Sequence, residues 1–243
     1  MAGDRNEALD SLLVDMQRDY IGPLWSNIHE LNTIEPRSKA VPYLWRWGRV
    51  KEYIERATNV LEVGAEAERR AVFLINPGMN DLKPVGWGGA TPTLYMAVQA
   101  VRPGEIARAH RHTNTALRFI VEGRGATGRI DGEKASFEPG DFLVTPSWTW
   151  HDHANEGNET VYWIDCLDVP FTKYLGVCFT EFYPQIQQEL TVPDNYSMLR
   201  YGGGMVRPIS DRRPKAVTLA RYSWRSTGDA LGSMMQTDAN PWD

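Results

Sequence analysis

The histidines constrain this chain more than any other feature. The sequence has five, and four of them, His110, His112, His151 and His153, fall between Gly104 and Asn155. His110-Arg111-His112 places two imidazoles at i and i+2, which in a strand share one face. Pro103-Gly104 before them is a turn signal. After them comes an apolar run, Ala116-Leu117-Arg118-Phe119-Ile120-Val121, closed by Glu122-Gly123. Ile130-Asp131-Gly132-Glu133 then carries Asp-Gly, the strongest short hairpin signal. Pro139-Gly140-Asp141 turns into a strand from Phe142 to Pro146, which leads through Ser147-Trp148-Thr149-Trp150 to His151. A strand, a hairpin and a returning strand bring His151 beside the first pair, and inward positions of small antiparallel barrels can line a site in this way. We read His110, His112 and His151 as ligands of one metal ion. Three neutral imidazoles serve a zinc hydrolase as well as a ferrous centre, so the residues alone leave the ion open.

With those residues in place, a resemblance is visible. Gly104, His110-x-His112 and Gly123 resemble the first cupin motif, and Gly140, Pro146, His151 and Asn155 resemble the second. Cupins usually add a glutamate ligand four or five residues after the second histidine, where this chain has Ala116 and Leu117. The stretches His-Arg-His-Thr, Ala-Leu-Arg-Phe-Ile-Val-Glu-Gly and Thr-Pro-Ser-Trp-Thr-Trp-His-Asp-His are similar to gentisate 1,2-dioxygenases and their relatives acting on salicylate and 1-hydroxy-2-naphthoate. The similarity runs from about Gly22 to the end.

The resemblance implies a mainly β fold: a cupin, that is a double-stranded β-helix or jelly-roll barrel, with N-terminal helices. It implies Fe(II), O2 and a small aromatic carboxylic acid as substrate, gentisate or another ortho-hydroxybenzoate. The ring would open between the carboxyl-bearing and hydroxyl-bearing carbons. A homo-oligomer is also implied. The family joins two barrels in a longer chain, and no second His-x-His follows here. The expected division is therefore a helical region over 1–66, a cupin barrel over 67–170, and a C-terminal extension or linker towards a second cupin over 171–243.

Further site residues follow from parity and from the resemblance. His153, two residues after His151, shares its face and is expected to exchange a proton near bound oxygen or to hydrogen-bond substrate. Its alternative is a histidine on the barrel rim. Arg118 interrupts an apolar strand, and a buried arginine needs an anion. That anion is a substrate carboxylate, a reduced oxygen species or a core acid such as Asp165. Arg111 has the opposite parity and is expected to face solvent. Gln99, Trp163 and Asp165 match positions that line the substrate pocket in the family, and Tyr95 sits on the face of Gln99 as a possible ring wall. Arg69 or Arg70 is placed near the substrate carboxylate by the resemblance.

The remaining chain frames this window. Residues 1–31 read as helix broken at Gly22-Pro23, residues 32–44 as irregular, and Val50, Tyr53, Ile54 and Ala57 as a further amphipathic helix. Strands are expected from Arg70 to Ile75, Thr93 to Val101 and Thr160 to Leu167. A short helix is expected from Pro184 to Glu189, and another from Arg221 to Met235. Between them runs a basic stretch with Arg207, Arg212, Arg213 and Lys215.

The formal net charge of −5, with no basic block, argues against nucleic acid and anionic membrane as partners. Neither an 18-residue apolar run nor a signal-peptide pattern is present, and the two cysteines, Cys166 and Cys178, fit a reducing cytoplasm. Two other readings stay open: a non-catalytic metal-binding cupin module, and a zinc or nickel cupin acting as lyase or isomerase.

Overall fold

The structure is a computed structural model that describes residues 2–64, 66–79, 89–202 and 219–237. The chain divides into two compact units, Met1–Lys39 and Ala40–Asp243. The first holds α1 (Ala2–Arg18) and α2 (Leu24–Leu31), which carries His29. Gly22-Pro23 separates them, because proline cannot donate the amide that would continue α1.

The second unit begins with irregular chain and α3 (Trp47–Val60). The strands follow: β1 (Ala71–Phe73), β2 (Tyr95–Val101), β3 (Ile106–His112), β4 (Ala116–Glu122), β5 (Ala126–Ile130), β6 (Glu133–Ser136), β7 (Phe142–Thr145), β8 (His151–Asn155) and β9 (Val161–Leu167). After them come α4 (Val169–Tyr174), β10 (Thr180–Phe182), α5 (Tyr196–Arg200), β11 (Arg221–Tyr222) and α6 (Trp224–Thr237). They form two antiparallel sheets, ordered β1-β2-β9-β4-β7-β11 and β10-β3-β8-β5-β6. This is a jelly roll, whose two sheets face each other and enclose a core.

One end of that core is apolar. Val101, Ile120, Ala126, Phe137, Leu143, Val161 and Trp163 pack there from both sheets. Val50 and Ile54 of α3 cover the outer face of the first sheet at Val98, Ala100 and Tyr162. Strands β2 and β9 are thus buried on both faces, which is why their sequences are apolar without alternation.

The turns obey local chemistry. Asp131 and Gly132 have φ of 46° and 79°, and they connect β5 to β6 as a two-residue hairpin loop needs. Gly123 has φ of 88°, and a Cβ there would lie 2.3 Å from the Thr160 carbonyl oxygen, so the motif glycine is required twice over.

The expected helix at Pro184 to Glu189 is absent; those residues are bends and irregular chain. Their polar groups are engaged elsewhere. The Ile186 carbonyl accepts from the Ala109 amide, and the Gln188 amide donates to Asp152 Oδ2. The segment thus runs along the outer side of β3 and β8 instead of bonding to itself. The sequence reading also passed over α4 and α5, and the basic stretch after Gly202 lies outside the described residues.

Candidate metal centre

β3 and β8 are neighbours in the second sheet, and His110 stands directly across from His151. A register shift between Ala107 and His110 marks a bulge in β3. It turns the end of the strand so that His110 and His112 face inward along with Ala107. Ring centroids lie 4.4 Å apart for His110 and His151, 4.8 Å for His112 and His151, and 5.3 Å for His110 and His112. One ring nitrogen from each lies within 4.8 Å of the others, all three residues being buried.

The backbone orients each ring. His112 Nδ1 lies 2.8 Å from the Asn114 carbonyl oxygen and His151 Nδ1 lies 2.9 Å from that of Thr149. A carbonyl only accepts, so Nδ1 carries the proton and Nε2 keeps its lone pair for a ligand bond. His110 Nδ1 lies 3.1 Å from the Arg108 carbonyl oxygen, in the same pattern. Arg69 Nη2 also crowds this ring, at 2.6 Å from Nδ1 and 3.2 Å from Nε2. Nδ1 cannot both donate to Arg108 and accept from Arg69. A metal ion held by the three rings through Nε2 would favour the tautomer in which His110 Nδ1 donates to the Arg108 carbonyl.

Unsatisfied atoms test whether a metal fits. Among the described residues nine buried side-chain nitrogens and oxygens lack a hydrogen-bond partner, and four with no charged partner either belong to His151, His153 and Arg69. Buried polar groups are rarely left unpaired, so such a cluster marks the place of an absent ligand. His151 Nε2 is one of the four. The donor set fits a divalent transition metal: three neutral imidazoles, with no carboxylate. The position after the second histidine where other cupins place a carboxylate is here Ala116, fully buried on β4 between Thr145 and Leu167.

The electrostatics keep the rings neutral. Burial, and then the Arg69 charge, pushes His110 down to about 2. Burial pushes His112 down to about 4, against the pull of its Asn114 hydrogen bond. His151 and His153 are driven well below the usual histidine range, by burial first and Arg118 second. No proton therefore competes for these lone pairs at neutral pH.

Beside the triad lies a charged cluster. Arg118 Nε is 2.8 Å from Asp165 Oδ1, and Arg118 Nη1 donates to Thr145 Oγ1 at 2.7 Å. Arg118 and Asp165 form a buried ion pair. Asp165 Oδ2 accepts from Trp163 Nε1 at 3.1 Å. Burial raises the Asp165 carboxyl while Arg118 and then Arg69 pull it back. Burial and then Arg118 lower Arg69 to about 10, so it stays charged at neutral pH.

The other expected residues fall as follows. His153 is fully buried against Trp163, 5.4 Å between centroids, and is not on the barrel rim. The rim alternative is set aside because His153 points between the two sheets, against Trp163 and Phe137. Gln99 is buried opposite Trp163, and Tyr95 is half-buried four pairs away, at the start of β2 opposite Leu167. Arg69 reaches the triad, whereas Arg70 is bound by both Glu105 carboxylate oxygens at 2.9 and 2.6 Å. Arg111 is not free in solvent: its guanidinium lies between Trp148 and Trp150. Sequence reasoning missed Thr145, whose partner was visible only in the register of β4 against β7. It also missed Glu68, which lies 3.7 Å from His110 Nδ1. The three orienting carbonyls carry no sequence signal, since every residue has one.

Fold and site together define a cupin with a candidate all-histidine metal centre, and the family model described as a cupin domain matches residues 97–169. Among curated proteins, the chain is 36% identical over 223 residues to gentisate 1,2 dioxygenase 1 of Aquipseudomonas alcaligenes, covering 92% of this chain and 62% of that one. It is 35% identical over 240 residues to 5-aminosalicylate 1,2-dioxygenase of Comamonas sp, covering 97% and 62%. Among solved structures, the salicylate 1,2-dioxygenase of Pseudaminobacter salicylatoxidans superposes with a TM-score of 0.82 at 31% identity, over 96% of this chain and 66% of that chain. The same enzyme with gentisate gives a TM-score of 0.81 at 31% identity, over 96% and 64%. The chain is similar to gentisate 1,2-dioxygenases over nearly all of its own length and shares the cupin fold of the salicylate enzyme. It spans 62–63% of the length of the first curated relatives it matches.

Proposed function

We propose that this protein is an Fe(II)-dependent dioxygenase that opens the ring of gentisate or a related salicylate-type acid. The observation that carries the reading is the set of three buried neutral imidazoles beside the Arg69 and Arg118 guanidinium groups. His110, His112 and His151 would hold the ion. Ferrous iron, when bound, supplies Lewis acidity for an anionic chelating substrate and the electron exchange that lets O2 react with a closed-shell ring. Since none of the three ligands is anionic, the full 2+ charge remains to attract a carboxylate and an adjacent phenolate oxygen.

The chain's own side chains do the rest. Arg69 keeps its charge, and its Nη1 is buried without a partner, which suits a substrate carboxylate. Arg118 is held in place by Asp165 and Thr145 and adds positive potential on the same side. His153 is neutral and both its nitrogens lack partners, so one can accept a hydrogen bond from the substrate hydroxyl while the other donates one to a substrate oxygen. Gln99, Trp163, Asp165 and Tyr95 line the ring's surroundings. In the net reaction the bond between the carboxyl-bearing and hydroxyl-bearing carbons breaks. Each of those carbons gains one atom of O2, so no external reductant is consumed, and gentisate yields maleylpyruvate.

β1 and β10 leave open edges on the two sheets, which supports assembly as a homo-oligomer. Among the described residues no helix is long and apolar enough to cross a membrane, and Cys166 and Cys178 are free thiols, which fits our assignment to the cytoplasm.

The test is an oxygen-electrode screen of ortho-hydroxy aromatic acids with protein loaded anaerobically with Fe(II). One O2 consumed per ring opened supports the reading. Metal bound without uptake on any of these acids replaces it with the binding module. Turnover without oxygen consumption replaces it with a lyase or isomerase.

A further inference from the structure

Resting on the reading of the triad as a metal centre, we infer that Arg111 is a positioning residue that locks the loop carrying the third ligand onto the strand carrying the first two. Arg111 lies between His110 and His112 on β3, with its side chain on the outer face. Its guanidinium carbon is 4.3 Å from the ring centroid of Trp148 and 4.4 Å from that of Trp150. Those two tryptophans flank Thr149, whose carbonyl oxygen orients His151. The stack continues on both sides. Phe179 packs on Trp148 with centroids 4.8 Å apart, and Tyr183 packs on Trp150 at 5.0 Å. Glu181, opposite Arg111 in β10, accepts from Nε and Nη2 at 2.9 and 2.6 Å, which fixes the plane of the guanidinium.

The loop needs such a restraint. Trp148 has φ of 62°, a left-handed conformation that a bulky residue rarely adopts and that persists only where its surroundings over-determine it. The Trp148 amide donates to the His112 carbonyl oxygen at 2.8 Å, and the Trp150 amide to Asp131 Oδ1 at 3.1 Å. These bonds hold the backbone at both ends. The cation between the two indoles fixes the separation of the rings, and with it the direction of the Thr149 carbonyl between them. The chain of cause therefore runs from Arg111 to the Trp148 and Trp150 rings, to the Thr149 carbonyl, to the aim of His151 Nε2.

The experiment compares wild-type protein with Arg111→Met and Arg111→Lys by anaerobic Co(II) binding under chelator competition, with the Co(II) absorption spectrum and the melting of the metal-free protein measured alongside. Methionine keeps the stem without charge; lysine keeps the charge without the planar fork that stacks and bridges. Loss of an outer-shell partner of a metal ligand weakens metal binding about 10–100-fold. Acting through one further group, Arg111→Met is expected at about the low end, tenfold, with altered Co(II) bands and with Arg111→Lys intermediate. Wild-type affinity and bands in Arg111→Met overturn the inference. Weaker binding with unchanged bands also overturns it, because general destabilisation does not alter coordination geometry. Should the methionine variant fail to fold, the lysine variant carries the same comparison. If wild-type protein takes up no Co(II), the metal-centre reading falls and takes this one with it; uptake that is equal in all three proteins removes the clamp alone.

Discussion

Replacing Asp165 by Asn removes one charge from the buried pair while keeping an oxygen for the Trp163 indole N–H. The gross attraction across 2.8 Å is about 6 kcal/mol at an effective dielectric of about 20. That figure is not the stability of the pair. Burial raises the Asp165 carboxyl and lowers the Arg118 guanidinium, so for each partner desolvation exceeds what the other returns. Removing one partner of such a pair leaves an uncompensated buried cation, at about 3–5 kcal/mol. Arg69 nearby adds to the positive charge. For a chain of this size each kcal/mol moves the melting temperature by about 2–4 °C, so Asp165→Asn is expected to melt about 10 °C below wild type. The double variant Arg118→Met/Asp165→Asn leaves no stranded charge on this pair and is expected to recover most of that loss. Calorimetry on the four proteins of the cycle measures the coupling directly. Asp165→Asn melting with the wild type, or a double variant less stable than either single, would refute the reasoning. If the cycle closes as expected and both variants lose turnover, the pair is retained for the site and not for stability.

Three further outcomes follow from the same geometry. His153→Ala is expected to keep metal but lose most turnover, since the side chain borders the triad without reaching it; unchanged turnover in metal-loaded protein removes it from the chemistry. The metal-free protein is expected to lose stability as pH falls below about 6.5, because the unfolded chain takes up protons there that four buried histidines refuse until far lower pH. At pH 5.5 this amounts to about 1.4 kcal/mol for each fully suppressed histidine, and equal urea midpoints at pH 7 and 5.5 would contradict it. Gly123→Ala is expected to destabilise by more than about 1 kcal/mol, since its Cβ would lie 2.3 Å from a backbone oxygen at φ of 88°; a wild-type denaturation midpoint would show that this turn gives way.

The sequence alone determined the barrel and its three converging histidines. Residue parity in strands and the conformational demands of Gly123 and Asp131-Gly132 are local properties, written in the order of the residues. His153 was legible for the same reason, two residues beyond His151. Tertiary structure decided what those side chains meet. Arg118 was expected to be buried because it interrupts an apolar strand, but only the pairing of β4 with β9 puts Asp165 against it. Arg69 and Arg70 are neighbours that sequence could not separate; the twist of the chain into β1 sends one to His110 and the other to Glu105. Arg111 faces outward as parity requires, but whether outward means solvent depended on Trp148, Trp150 and a strand nearly seventy residues away, where Arg111 and Glu181 are separated by 70 positions. Periodicity reports which side of a strand a residue occupies. What lies on that side is fixed by long-range packing, because the partners come from parts of the chain with no local relation to each other.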